Sequence, residues 1–71
     1  MIKIEEEQDS TYRLEIDFND LSDAKRGKIL GIFFEEERVL TIGKNRIGSV
    51  ANIPSLQSAQ GLREKLNAII F

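Results

Sequence analysis

A chain of 71 residues with 41% hydrophobic residues can bury one small core, so residues 1–71 are read as a single domain. The absence of cysteine and histidine excludes disulfides, thiolate metal sites, the commonest zinc ligand and the usual proton carrier near neutral pH. A net charge of −2, from 12 acidic and 10 basic residues, excludes a strongly basic polyanion binder and makes the distribution of charge the informative quantity.

The opening MIKIEEEQ has no apolar run of the kind a signal peptide needs. The longest apolar run, glycine included, is Ile29 to Phe34, far short of the roughly 20 residues that span a bilayer. A cytoplasmic protein is expected.

Ile2 and Ile4 alternate with Lys3 and Glu5, the period of a half-buried strand. After the turn-forming Gln8-Asp9-Ser10, Tyr12, Leu14, Ile16 and Phe18 share one face, with Arg13, Glu15 and Asp17 on the other. The two segments are expected to pair as a hairpin. Asn19 to Gly27 reads as a connection, holding at most a helical turn capped by Asn19 or Asp20 with Leu21 tucked in.

Ile29 to Phe34 is the ambiguous stretch. A helix from Asp20 to about Arg38 would carry Gly27 and Gly31 at about 1 kcal/mol each, and its apolar residues lack three-four spacing. A strand buried on both faces is preferred, with Leu30, Ile32 and Phe34 on one side and Ile29 and Phe33 on the other. Glu35-Glu36-Glu37 then turns the chain, Val39 to Ile42 returns, Gly43-Lys44-Asn45 turns again, and Arg46 to Ile53 closes the sheet. Pro54 stops it, Ser55 caps a helix, and Leu56, Ala59, Leu62, Leu66 and Ile69 form that helix's apolar face. No internal repeat is visible.

The fold expected is therefore α+β: a five-stranded antiparallel meander packed by one C-terminal helix. The Ile29/Phe33 face needs its own cover, either by the sheet curling into a small barrel or by two copies stacking.

No spacing selects a Ser–Lys pair or a carboxylate pair, so a non-catalytic protein without cofactor or metal is expected. Asp17 to Asp23 is oxygen-rich but misses the EF-hand pattern: Leu21 takes a ligand position and Lys28 stands where the bidentate glutamate belongs. It reads as a turn and helix cap. In a meander, alternate turns share an end. That gathers Lys25, Arg26, Lys28, Lys44 and Arg46 at one end and Glu6, Glu7, Asp9 and Glu35 to Glu37 at the other. These five cations are the candidate binding residues, for head-to-tail or heterologous protein contacts steered by complementary charge or, alternatively, for nucleic-acid phosphates.

Strands followed by a C-terminal helix, with the Arg26-Gly27-Lys28-Ile29-Leu30 run and the closing Leu62-Arg63-Glu64-Lys65-Leu66 helix, form a layout similar to Pur-type single-strand-binding repeats and small archaeal chromatin barrels. A layout does not carry function, and the acidic balance departs from the chromatin barrels. The function expected is a small binding or regulatory module acting through protein–protein contacts or self-association, with a nucleic-acid-binding protein as the alternative.

Overall fold

Alternation decides the first two strands of the computed structural model, which describes residues 2–71. Strands β1 (Ile2–Glu6) and β2 (Tyr12–Asp17) pair antiparallel, setting Ile2 opposite Ile16 and Ile4 opposite Leu14 on the core face. The outer face sets Lys3 opposite Glu15 and Glu5 opposite Arg13, so unlike charges meet across the strands and the face is content in water. Ser10, at φ 65°, closes the loop, and the Asp9 carboxylate accepts from the Thr11 amide at 3.1 Å.

The preferred strand at Ile29 to Phe34 is overturned: this stretch belongs to helix α1 (Asp23–Glu35). The cap is Ser22 rather than Asn19 or Asp20. Its hydroxyl accepts from the Lys25 amide at 3.3 Å, and Leu21 just ahead of it is buried as expected. Ile29 and Phe33, one turn apart, point into the core; Leu30 and Phe34 point out of it. Apolar residues on opposite sides of one helix erase the three-four rhythm, which is why the segment mimics a strand buried on both faces. The helix ends without a glycine. Glu37 adopts φ 56°, and the amides of Glu37 and Arg38 donate to the Phe34 and Phe33 carbonyls at 3.2 and 3.0 Å. Glu35 to Glu37 is thus a helix terminus and not a hairpin turn.

The return strand is shorter than expected. Strand β3 keeps only Thr41–Ile42, and it pairs antiparallel with β4 (Ile47–Ile53) across the Gly43–Asn45 turn. Arg46, at φ 62°, ends that turn, and the Asn45 side chain accepts from the Ile47 amide at 3.1 Å, as Asp9 does for Thr11 in the first hairpin. Along β4, Val50 pairs with Leu14 and Ile53 with Tyr12, so one extra residue bulges out; Asn52, at φ 61°, absorbs it. The bulge lets Val50 and Ile53, three apart, both face the core.

Four strands in the order β1-β2-β4-β3 replace the five-stranded meander, and two helices replace one. The sheet is open, so it is not a barrel. Its second face is the charged one, so no stacked copy is needed over Ile29 and Phe33, which are already buried. The layout likened to Pur-type repeats and chromatin barrels, strands and then a single helix, is not that of this chain.

Helix α2 (Leu56–Ile70) begins at Ser55 as expected, with the hydroxyl accepting from the Ser58 amide at 3.1 Å. Ala59, Leu62, Leu66 and also Ile70 are buried against the sheet and α1, whereas Leu56 is half exposed. The chain therefore consists of two ββα units. Each has a hairpin closed by a left-handed residue beside an Asp or Asn, then a serine-capped helix with a buried pair one turn apart: Ile29 and Phe33, or Leu62 and Leu66. Central antiparallel β2 and β4, with β1 and β3 outside, relate the halves by an approximate two-fold axis normal to the sheet.

Glu36, at the end of α1, ties the halves together. It accepts from Lys65 Nζ of α2 at 2.6 Å and faces Arg38 Nε at 3.4 Å. The Lys65 hydrogen bond, helped by the attraction of Lys65 and Arg38, holds its carboxyl below the ordinary 4.5 despite partial burial acting the other way. Folding lowers this pKa. The contribution to stability is therefore present above the unfolded value and lost as pH falls through the folded one. Glu36→Gln is expected to remove under about 1 kcal/mol at neutral pH and to flatten the loss of stability on acidification below 4.5, measured by urea denaturation across that range. An unchanged acid slope would mean the bridge is not populated.

Candidate interaction surface

The five cations singled out by sequence take three different situations. Lys25 Nζ donates to the Ile70 carbonyl at 2.7 Å, which neutralises the negative end of α2 and ties the helices together. Arg26 donates through Nη2 to the Phe18 carbonyl at 3.1 Å and lies 3.4 Å from Asp23. Arg46 joins Arg26 at a cleft of about 220 Å³ floored by Phe18, Leu30 and Ile42. Lys44 is exposed at the tip of the β3–β4 turn, and Lys28 is exposed on α1. The start of the Asn19–Gly27 connection does lie against that turn, since Asn19 Nδ2 donates to the Asn45 carbonyl at 3.1 Å. Of the five, the structure thus brings Arg26 and Arg46 to one cleft, commits Lys25 to a structural hydrogen bond, and leaves Lys28 and Lys44 on open surface.

Arg13 and Arg38, which sequence reasoning did not single out, line an open groove of about 530 Å³ with Glu37, Thr41 and Ser49. Each is answered by a carboxylate: Arg13 Nε lies 3.0 Å from Glu7, and Arg38 Nε lies 3.4 Å from Glu36. The groove is balanced in charge. Asp17, in the oxygen-rich loop, accepts from the Asn19 amide at 2.9 Å and its side-chain nitrogen at 2.8 Å. These bonds lower its pKa and make the loop a turn leading to the Ser22 cap.

The conspicuous surface is apolar. Phe34 is 85% exposed and Leu30, one turn before it, 47% exposed, although both were expected in the core. Val39, 80% exposed, lines one hollow with Phe34, and Ile42, 50% exposed, lines the Arg26/Arg46 cleft with Leu30. Leu30 and Phe34, one turn apart on α1, thus each share a hollow with one apolar residue of the following segment, Ile42 and Val39. Isolated apolar residues on a surface are ordinary; clustered ones are the kind found at interaction sites.

The other half of the chain supplies an internal comparison. With the caps Ser22 and Ser55 set equivalent, Gly27, Leu30, Gly31 and Phe34 of α1 match Gln60, Arg63, Glu64 and Asn67 of α2. The matching positions on α2 are polar, whereas those on α1 are apolar or glycine, although both helices follow a hairpin and a serine cap. The termini of α1 are mixed in charge: Asp23 in the first turn suits the helix dipole, whereas Glu35 in the last turn, with no basic residue beside it there, opposes it.

The chain matches no family model, no curated protein and no solved structure. Among the described residues, no helix is long and apolar enough to cross a membrane.

Proposed function

We propose that this protein is a non-catalytic binding module that acts through protein–protein contact, using the outer face of α1 and the segment that follows it. The carrying observation is the joined exposure of Leu30, Phe34 and Val39 where the equivalent face of α2 is polar. Removing these side chains from water favours association at about 25 cal/mol per Å², and a phenylalanine with two rotatable bonds is an efficient anchor. Lys28, Glu35 and Glu37 supply the polar rim that such contacts have.

The nucleic-acid alternative draws on Arg26 and Arg46. Against it stand the negative total charge and the use of Lys25 within the fold.

A photoreactive side chain placed at Phe34 should crosslink a discrete protein product in native extract, while the same group at Gln60 on α2 should not. Equal labelling at both positions, or none at either, would rule the proposed face out. Binding of short oligonucleotides that weakens steeply with salt and is lost in Arg26→Ala/Arg46→Ala would favour the alternative.

A further inference from the structure

We infer that the outer face of α1 is self-complementary and that its occupant is a second copy of this chain, docked through its own α1 running antiparallel. This rests on the protein-contact reading above and names the partner. Lys28 and Glu35 lie two turns apart on one flank of the outer face, and neither makes an ion pair among the described residues. Leu30 and Phe34 lie on the other flank.

Consider a two-fold axis lying between two copies of the helix, perpendicular to both and level with the Gly31–Ile32 peptide. It sets Lys28 opposite Glu35 of the second copy, and Glu35 opposite the second copy's Lys28. The same axis brings Leu30 within one residue, about 1.5 Å along the helix, of Phe34 of the second copy, and Phe34 equally close to its Leu30. A parallel two-fold arrangement would swap the flanks and set Lys28 and Glu35 of one copy against Leu30 and Phe34 of the other, charge on apolar surface. Between the flanks, Gly27 and Gly31 have nothing within 4 Å of where a Cβ would stand, so two helix backbones can approach closely there.

An isologous contact requires each feature and its complement on the same surface, and α1 carries both pairs at a spacing that one axis satisfies. The overlap runs from Lys28 to Glu35 of each helix, so the glutamate in the last turn of one α1, placed against its own dipole, gains a lysine partner from the neighbour. An α1 of 13 residues is about 20 Å long, so even with Val39 added the contact falls short of the roughly 800 Å² per partner of a standard-size stable interface. The dimer is therefore weak and reversible, of the class of small transient contacts.

The test is sedimentation equilibrium of the whole chain from about 5 µM to about 1 mM, spanning weak affinities, at low and high salt. Wild type should pass from monomer to dimer. Lys28→Glu and Glu35→Lys should each raise the dissociation constant about tenfold, the double exchange K28E/E35K should bring it back, and Phe34→Ala should raise it at least tenfold. Unchanged thermal midpoints confirm that the exposed substitutions leave the fold intact. A monomer at every concentration would overturn the inference while leaving the extract crosslink from Phe34 to decide the protein-contact reading separately. A dimer indifferent to Phe34→Ala, or one weakened by each single exchange and not restored by the double, would equally overturn it.

Discussion

Leu66→Ala is expected to remove about 2–5 kcal/mol of folding stability, the range seen when a fully buried leucine is cut back to a methyl group. Leu66 has no exposed surface and lies in the single core that joins both helices to the sheet. A domain this small rarely has more than about 3–5 kcal/mol in total. The variant should therefore lose about half or more of its stability, and at the upper end of the range be unfolded at room temperature. Urea denaturation measures it; a loss under about 1 kcal/mol would mean that α2 does not present this face to the sheet.

Gly48→Ala is expected to cost about 1–3 kcal/mol, although it only adds a methyl group. Gly48 sits on β4 under the ring of Phe18, and a Cβ there would overlap that ring and come within 3.1 Å of a Leu40 methyl. Phe18 is buried, and its ring cannot step aside without disturbing the core around Leu14 and Ile16. A double-mutant cycle isolates the cause. In a Phe18→Leu background, where the far edge of the ring is gone, adding the methyl at position 48 should cost markedly less. Equal costs in both backgrounds would show that the ring contact is not the reason, and that glycine acts at this position through the backbone alone.

The parts of the fold that were legible are those in which local pattern and tertiary burial agree. Ile2, Ile4, Leu14 and Ile16 alternate because one face of their hairpin meets the core and the other meets water. Ala59, Leu62 and Leu66 recur at helical spacing because α2 has one wet side. The misreading of Ile29 to Phe34 comes from the same rule broken: α1 is apolar on its inner and outer sides, carries two glycines, and ends at a left-handed Glu37 where a glycine is the usual signal. The residues that hide the helix, Leu30 and Phe34, are the ones proposed here to bind. Local rules tend to fail where a chain is shaped for a partner.

The candidate cations fared differently for a related reason. Sequence identifies a charge but not what it already holds. Lys25 looked available and is anchored on the end of α2, forty-five positions away; Arg26 and Arg46 reach the same cleft because β2 and β4 pair, not because the chain meanders.

The amino-acid order by itself determined the two hairpins, the serine cap and core face of α2, and the exclusion of thiol and imidazole chemistry, since each depends on nearest neighbours or composition alone. Only the tertiary structure decided that Ile29 to Phe34 is helical, that the central strands are β2 and β4, and that Phe34 faces water. Those outcomes turn on which surfaces meet across the fold, and burial of Ile29 and Phe33 against α2 and the sheet outweighs the glycine penalties that argue locally for a strand.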